Sequence, residues 1–199
     1  MRRPRRKANV RDINETEAKP KRPVDPERSR TRTLQRAVKL LAAKPRSVAE
    51  LRERLLEKEW TTEEAADYAI TRLSEYGYLN DEQFALGYAS ARVRQKPVGR
   101  QQLARDLQMK QIERELAEQT LEKVFEATPE AELIDAAIEK RVRLRGRPTT
   151  RQETKSLFDH LLRRGFSYDL IIGKVRALAS AELDEDEAAG SDADDQSQA

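Results

Sequence analysis

The sequence predicts an all-α fold: three tandem three-helix repeats forming an elongated, curved array, with a disordered tail at each end. Three observations predict it. Apolar residues from Thr33 onward recur at helical spacing, with no alternation of β-branched and polar residues that would mark a strand. Helix breakers return in phase: Lys44-Pro45 is followed by Lys96-Pro97 fifty-two positions later, and Arg147-Pro148 takes the same place in a third copy. Apolar residues make up 37% of the chain and charged residues 38%, a balance that suits small units burying thin stripes rather than one thick core.

The elements follow in order. Residues 1–32 hold twelve Lys/Arg against five Asp/Glu and four prolines, too little apolar surface to repay ordering, so they form a basic tail. Their acids and the lack of an apolar run argue against a signal peptide. Repeat 1 spans 33–79, with helices near 33–43, 47–58 and 62–75; Ser47-x-x-Glu50 and Thr61-x-x-Glu64 match capping boxes, and Gly77 sits where the third pattern stops. Repeat 2 spans 80–127, with helices near 81–95, 99–109 and 112–126, the first capped by Asn80 or Asp81. Repeat 3 spans 128–180, with helices near 129–145, 150–164 and 167–180, started by Thr128-Pro129 and Thr150-x-x-Glu153 and punctuated by Gly146 and Gly165. Residues 181–199 carry eight acidic residues and no basic one, an acidic tail.

Sliding the chain by the same shift lays Leu51 on Leu103, Leu55 on Leu107, Trp60 on Ile112 and Ala65 on Ala117. "LLEKEW" at 55–60 returns as "LLRRGF" at 161–166, after three extra residues that amount to about one helical turn. Such a series presents a long flank rather than a pocket. The stretch Tyr76, Gly77, Tyr78, Leu79, Asn80 and Asp81 is then the structural joint between repeats 1 and 2.

Catalysis has no visible candidate. There is one histidine, His160, expected on a helix surface, and no cysteine, which excludes thiolate metal sites and suits a reducing cytoplasm. The glycines form no phosphate loop, and no segment is apolar enough to span a bilayer. No cofactor and no metal are expected. What remains is basic: "ARVRQKPVGR" at 91–100 and "EKRVRLRGR" at 139–147, each at the end of a repeat's first helix. Arg92, Arg94, Lys96, Arg100, Lys140, Arg141, Arg143 and Arg145 are therefore the candidate partner- or DNA-binding residues. No aromatics are interleaved for base stacking.

"YGYLNDEQFA" at 76–85, followed by Arg92, Gly99-Arg100, Leu103-x-x-x-Leu107 and "MKQI", and preceded by "PRSVAELRERLLEKEW", resembles the bacterial regulatory RecX family over about 34–178. Glu59 and Gln111 stand where such sequences usually have glycine, while Gly165 keeps it. A non-glycine residue there costs about 1 kcal/mol if the left-handed conformation is kept. The resemblance implies a non-enzymatic, monomeric modulator of RecA. It would bind the RecA filament on single-stranded DNA and limit its extension, ATP hydrolysis and strand exchange. The rival expectation is a stand-alone nucleic-acid-binding protein that uses a basic face of helical repeats.

Overall fold

The computed structural model describes residues 25–178, which contain nine helices and no strand. They are α1 (Pro26–Ala43), α2 (Val48–Leu56), α3 (Glu63–Glu75), α4 (Asp81–Gln95), α5 (Arg100–Met109), α6 (Arg114–Ala127), α7 (Glu130–Arg145), α8 (Arg151–Arg163) and α9 (168–178). They group in threes, as the sequence predicts. The acidic 181–199 segment and most of the basic one lie outside the described residues.

The exception is 25–32, expected within the basic tail and found in α1. The Asp25 carboxylate accepts from the Glu27 amide at 3.2 Å, and Pro26 opens the first turn, where its missing N–H costs nothing. These early turns bury Ser29, whose hydroxyl donates to the Trp60 carbonyl at 2.9 Å. Thr33 lies beside Thr61, and both are buried. That burial explains a second difference: Thr62, not Thr61, caps α3, accepting from the Ala65 amide at 3.2 Å.

Two further start signals act differently from expectation. Ser47 accepts from the Glu50 amide, but the Glu50 carboxylate pairs with Lys110 instead of closing a box. Thr128 ends α6 and leaves Pro129 as the uncapped residue before α7. Thr150 and Glu153 do form the reciprocal box. Amides and hydroxyls of Thr149 and Thr150 hold the Glu153 carboxyl below its ordinary pKa. A lowered folded pKa contributes stability above the unfolded value, 4.5, that is lost as pH falls through the folded one. Glu153→Gln is expected to flatten that acid limb in urea titrations repeated across pH.

Gly77, Gly146 and Gly165 all have positive φ, as helix-ending glycines should. Gln111 joins them at φ 56°, the only other residue with positive φ among those described, so repeat 2 keeps the left-handed end without the glycine. Glu59 does not: α2 closes at Leu56 through the Glu57 amide to Glu53 O at 3.1 Å and the Lys58 amide to Leu55 O at 3.2 Å. Gln111→Gly is therefore expected to raise stability by about 0.5–1 kcal/mol in chemical denaturation, and Glu59→Gly to give no such gain.

Repeat 1 has its own core of Ala37, Leu51, Leu55, Ala66, Ala69, Leu73 and Leu79. Repeats 2 and 3 share one continuous core, in which Leu103 and Leu107 meet Ile134, Leu161, Phe166 and Ile171. All six of these are fully buried.

Both junctions follow one rule. At the first, the Ser47 hydroxyl donates to Lys110 O at 2.7 Å and the Val48 amide donates to the Asp81 carboxylate at 2.8 Å. At the second, the Gly99 amide donates to Arg164 O at 2.9 Å, the Gln101 amide to Gly165 O at 3.1 Å, and the Arg100 amide to the Glu130 carboxylate at 2.9 Å. Ser47 and Gly99 are equivalent under the repeat, as are Val48 and Arg100. Asp81 and Glu130 each open the next repeat's first helix. The N-terminus of α5 has its amides satisfied by the end of α8 and by a carboxylate, whereas at α2 the carboxylate takes the Val48 amide and the carbonyl at the end of α5 takes the Ser47 hydroxyl. The result is a spine, α8 to α5 to α2, with helix dipoles running head to tail. The ends are closed differently: α8 caps itself with Thr150 and Glu153, and the early turns of α1 cover Trp60 and Thr61.

Candidate functional site

The joint residues divide by role. Leu79 is buried in the repeat 1 core, Asn80 caps α4 by accepting from the Gln83 amide at 3.0 Å, and Asp81 closes the junction onto α2. Gly77 provides the left-handed turn. Tyr76 and Tyr78 stand out from the surface, 59% and 73% exposed, edge to face with centroids 6.5 Å apart; Arg72 lies over the Tyr76 ring at 4.9 Å.

The basic residues also divide. Arg92 donates through Nε to the Asp106 carboxylate at 2.9 Å, and Asp106 also accepts from Gln102 at 2.7 Å. With Arg92 26% and Asp106 11% exposed, this pair is a strut between α4 and α5 rather than a free contact. Arg94 and Lys96, in the last turn and at the cap of α4, are exposed. Arg100 is exposed and reaches over the Phe125 ring at 5.7 Å.

In repeat 3, Lys140, Arg143 and Arg145 are exposed on α7, with Arg143 3.7 Å from Glu139. Arg141 is half-buried and donates to the Ser156 hydroxyl at 2.9 Å. Burial first, then the Arg145 and Arg163 charges, lower its pKa. A cleft of about 160 Å³ opens between α7 and α8, lined by Arg141, Arg145, Arg147, Pro148, Glu153 and Ser156.

Sequence reading missed Arg164 and misplaced His160. Arg164 donates through Nη1 to Pro97 O at 2.8 Å and through Nε to His160 Nε2 at 3.1 Å, and it lies with Lys140, Arg141 and Arg145 around one hollow. It therefore links the turn of the first basic cluster to the second. The signal was present as an i, i+4 His-Arg pair bracketing "LLR", but it needed the Pro97 contact to acquire meaning. His160 is half-buried, not a simple surface residue. Because Nε2 accepts from Arg164, the neutral ring carries its proton on Nδ1. Burial, then Arg164, Arg141, Arg163 and Arg145, push its pKa below 6.5. Its neutral form is the folded one, so its contribution holds above pH 6.5 and is lost as pH falls toward the depressed folded value. His160→Gln is expected to reduce the loss of stability between neutral and mildly acidic pH, measured by urea titration.

The fold defines a class: a protein of three tandem three-helix repeats. Among the described residues no helix is long and apolar enough to cross a membrane. Three family matches then follow one another along the chain: RecX first three-helix domain at 34–73, second at 80–121 and third at 128–172. Regulatory protein RecX of Prosthecochloris aestuarii is 30% identical over 140 residues, covering 70% of this chain and 89% of that protein. Regulatory protein RecX of Bacillus licheniformis is also 30% identical over 140 residues, 68% of this chain, but the chain spans only 51% of that longer relative. The crystal structure of RecX from Lactobacillus salivarius superposes with a TM-score of 0.67 at 21% identity, over 77% of this chain and 98% of that one, which shows the shared fold. The chain belongs to the RecX family, a family of regulatory proteins rather than enzymes.

Proposed function

We propose that this chain regulates the RecA recombinase by binding the RecA filament on single-stranded DNA and limiting filament extension, ATP hydrolysis and strand exchange. Family membership supports the regulatory role, and the repeated junction supports the geometry. One repeat advances the spine by about 18 Å, the length of α5 with its turns. Basic residues at the first-helix ends, Arg94 and Lys96 in one repeat and Arg143 and Arg145 in the next, therefore recur along the array. A periodic basic flank suits a partner that is itself periodic and acidic, such as successive protomers in a filament groove. Occupying more than one protomer at once hinders addition of further subunits or favours their loss.

The observation that carries this reading is the pair of matched junctions, which turns three small bundles into one series. DNA-stimulated ATP hydrolysis by the cognate RecA, measured as this protein is added, tests it. Inhibition by substoichiometric to stoichiometric protein is expected; none at stoichiometric amounts would reject it. A second reading, direct nucleic-acid binding, is favoured by the arginines around the α7–α8 cleft. Tight, steeply salt-dependent binding to single-stranded DNA without RecA would select it.

A further inference from the structure

Repeat 1 departs from the other two at the end of its first helix. Under the 52-residue shift, Ala42 and Lys44 of α1 correspond to Arg94 and Lys96 of α4, and with Glu130 in the place of Asp81 they correspond to Arg143 and Arg145 of α7. The second cation of each pair is kept in repeat 1, and the first is replaced by alanine. Beside that alanine, a groove of about 400 Å³ runs between α1 and the end of α3, walled by Val38, Leu41, Ala42, Leu73 and Tyr78. Every wall is aliphatic or aromatic. The same positions in repeat 2 hold Ser90, Val93, Arg94, Phe125 and Glu130, three of them polar. Val38 and Tyr78 contribute little to the repeat 1 core, being 50% and 73% exposed. An apolar concavity left open to water favours an apolar occupant.

We propose that this groove seats apolar side chains of the protein partner, carried on a segment whose neighbouring residues are carboxylates. The charges beside the groove decide the chemistry. Between Glu27 and Glu50 the chain carries no acid. Lys39, next to Val38, and Lys44, just past Ala42, are exposed and enter no ion pair among the described residues. The acids on the Tyr78 side are engaged: Glu75 with Arg72 at 2.8 Å, Asp81 with the Val48 amide at 2.8 Å, and Glu82 with Lys123 at 3.1 Å. The free charge is therefore cationic and complements carboxylates. Val38 and Ala42 lie one turn apart, about 6 Å along α1, which fits a helical segment with apolar residues at i and i+4. Nucleic acid suits the groove poorly, because apolar walls do not replace the water around a phosphate. A second copy docked across a two-fold axis would bring Lys39 and Lys44 against their own counterparts. Naming the occupant rests on the proposed RecA-binding role: it is an acidic face of a RecA protomer bearing apolar anchors, met by the groove and by the cations of the next two repeats together.

The test uses the full chain and the cognate RecA filament on single-stranded DNA. Val38→Ser with Tyr78→Ser, both at exposed positions, is expected to raise the half-inhibiting concentration for RecA ATPase about tenfold at low and high salt alike, with the melting temperature within a few degrees of the unaltered chain. Val38→Leu is expected to leave inhibition unchanged. Lys39→Gln with Lys44→Gln is expected to weaken inhibition at low salt only, because charge contacts are screened and apolar ones are not. The chain has no cysteine, so Val38→Cys can carry a polarity-sensitive fluorophore. Its emission is expected to shift to the blue when the filament is added and to stay unchanged with single-stranded DNA alone. If the unaltered chain inhibits RecA and the Val38→Ser, Tyr78→Ser variant inhibits equally well, the groove is overturned and the functional reading stands. A blue shift with DNA alone, or one that follows the protein's own concentration together with its sedimentation coefficient, would overturn the proposal in favour of nucleic acid or of a second copy. An unaltered chain that neither inhibits RecA nor moves the fluorophore would reject the functional reading and this occupant together.

Discussion

Gly165→Ala is expected to destabilise the protein by about 3–4 kcal/mol, the largest loss expected from an alanine at any of the described glycines. Two costs coincide. Gly165 has φ +80°, where a Cβ meets the neighbouring carbonyl, and the added carbon would sit 2.2 Å from the Gln102 backbone nitrogen. Nothing at that contact is a movable side-chain end: the nearest atoms belong to the first turn of α5, held there by the Gly165 and Arg164 carbonyls. Gly77 separates the two costs. It has φ +73° but nothing within 4 Å of its added Cβ. Gly77→Ala should therefore show only the conformational part, about 1 kcal/mol. Gly99 isolates the other part, since its backbone is unstrained at φ −81° and its Cβ would lie 2.3 Å from Gly165 O.

The loss should be unevenly distributed. Repeat 1 keeps a separate core and meets repeat 2 mainly through polar contacts, Ser47 to Lys110, Val48 to Asp81 and Lys110 to Glu50. Unfolding is then not a single cooperative step, and calorimetry should show the transition of repeats 2 and 3 lowered by Gly165→Ala while that of repeat 1 moves less. A change under about 0.5 kcal/mol would mean that the second junction is not the close backbone contact described.

Most of the helices were legible in the sequence because their signals are local. A proline after lysine, a glycine at a left-handed end and apolar residues at 3.6 spacing act over one or two turns. The differences arise where a distant residue decides. Thr61 and Thr62 both offer a hydroxyl at a helix start, and only the Thr33 contact, 28 positions away, buries one and frees the other to cap. Arg92 read as a free cation because Asp106 is invisible until α5 folds back on α4. The junction rule had a sequence trace, Asp81 and Glu130 at the start of successive repeats, but the amides they satisfy lie 33 and 30 positions upstream. The start of α1 was hidden for the opposite reason: Asp25-Pro26-Glu27 is a sound local signal submerged in a basic, proline-rich composition.

Reversing charge at the exposed flank is expected to have the largest functional effect. Arg94, Lys96 and Arg145 project from two successive first helices and take part in no ion pair among the described residues, so the fold feels their charge only through the helix ends and through the repulsion of Arg145 with Arg141 and His160. Each contact with an acidic partner surface contributes about 1 kcal/mol at most. Reversal replaces attraction with repulsion, and Arg94→Glu, Lys96→Glu and Arg145→Glu together should raise the half-inhibiting concentration for RecA ATPase about a hundredfold, with a melting temperature that moves by no more than a few degrees. Arg92→Ala provides the contrast. It leaves the Asp106 carboxylate half-buried without its guanidinium, so it should lower the melting temperature first and affect inhibition only as far as the α4–α5 packing loosens. If the triple reversal inhibits as well as the unaltered chain, the basic flank is not where the partner binds. If Arg92→Ala alone abolishes inhibition at full stability, its guanidinium is a contact after all and Asp106 merely holds it in place.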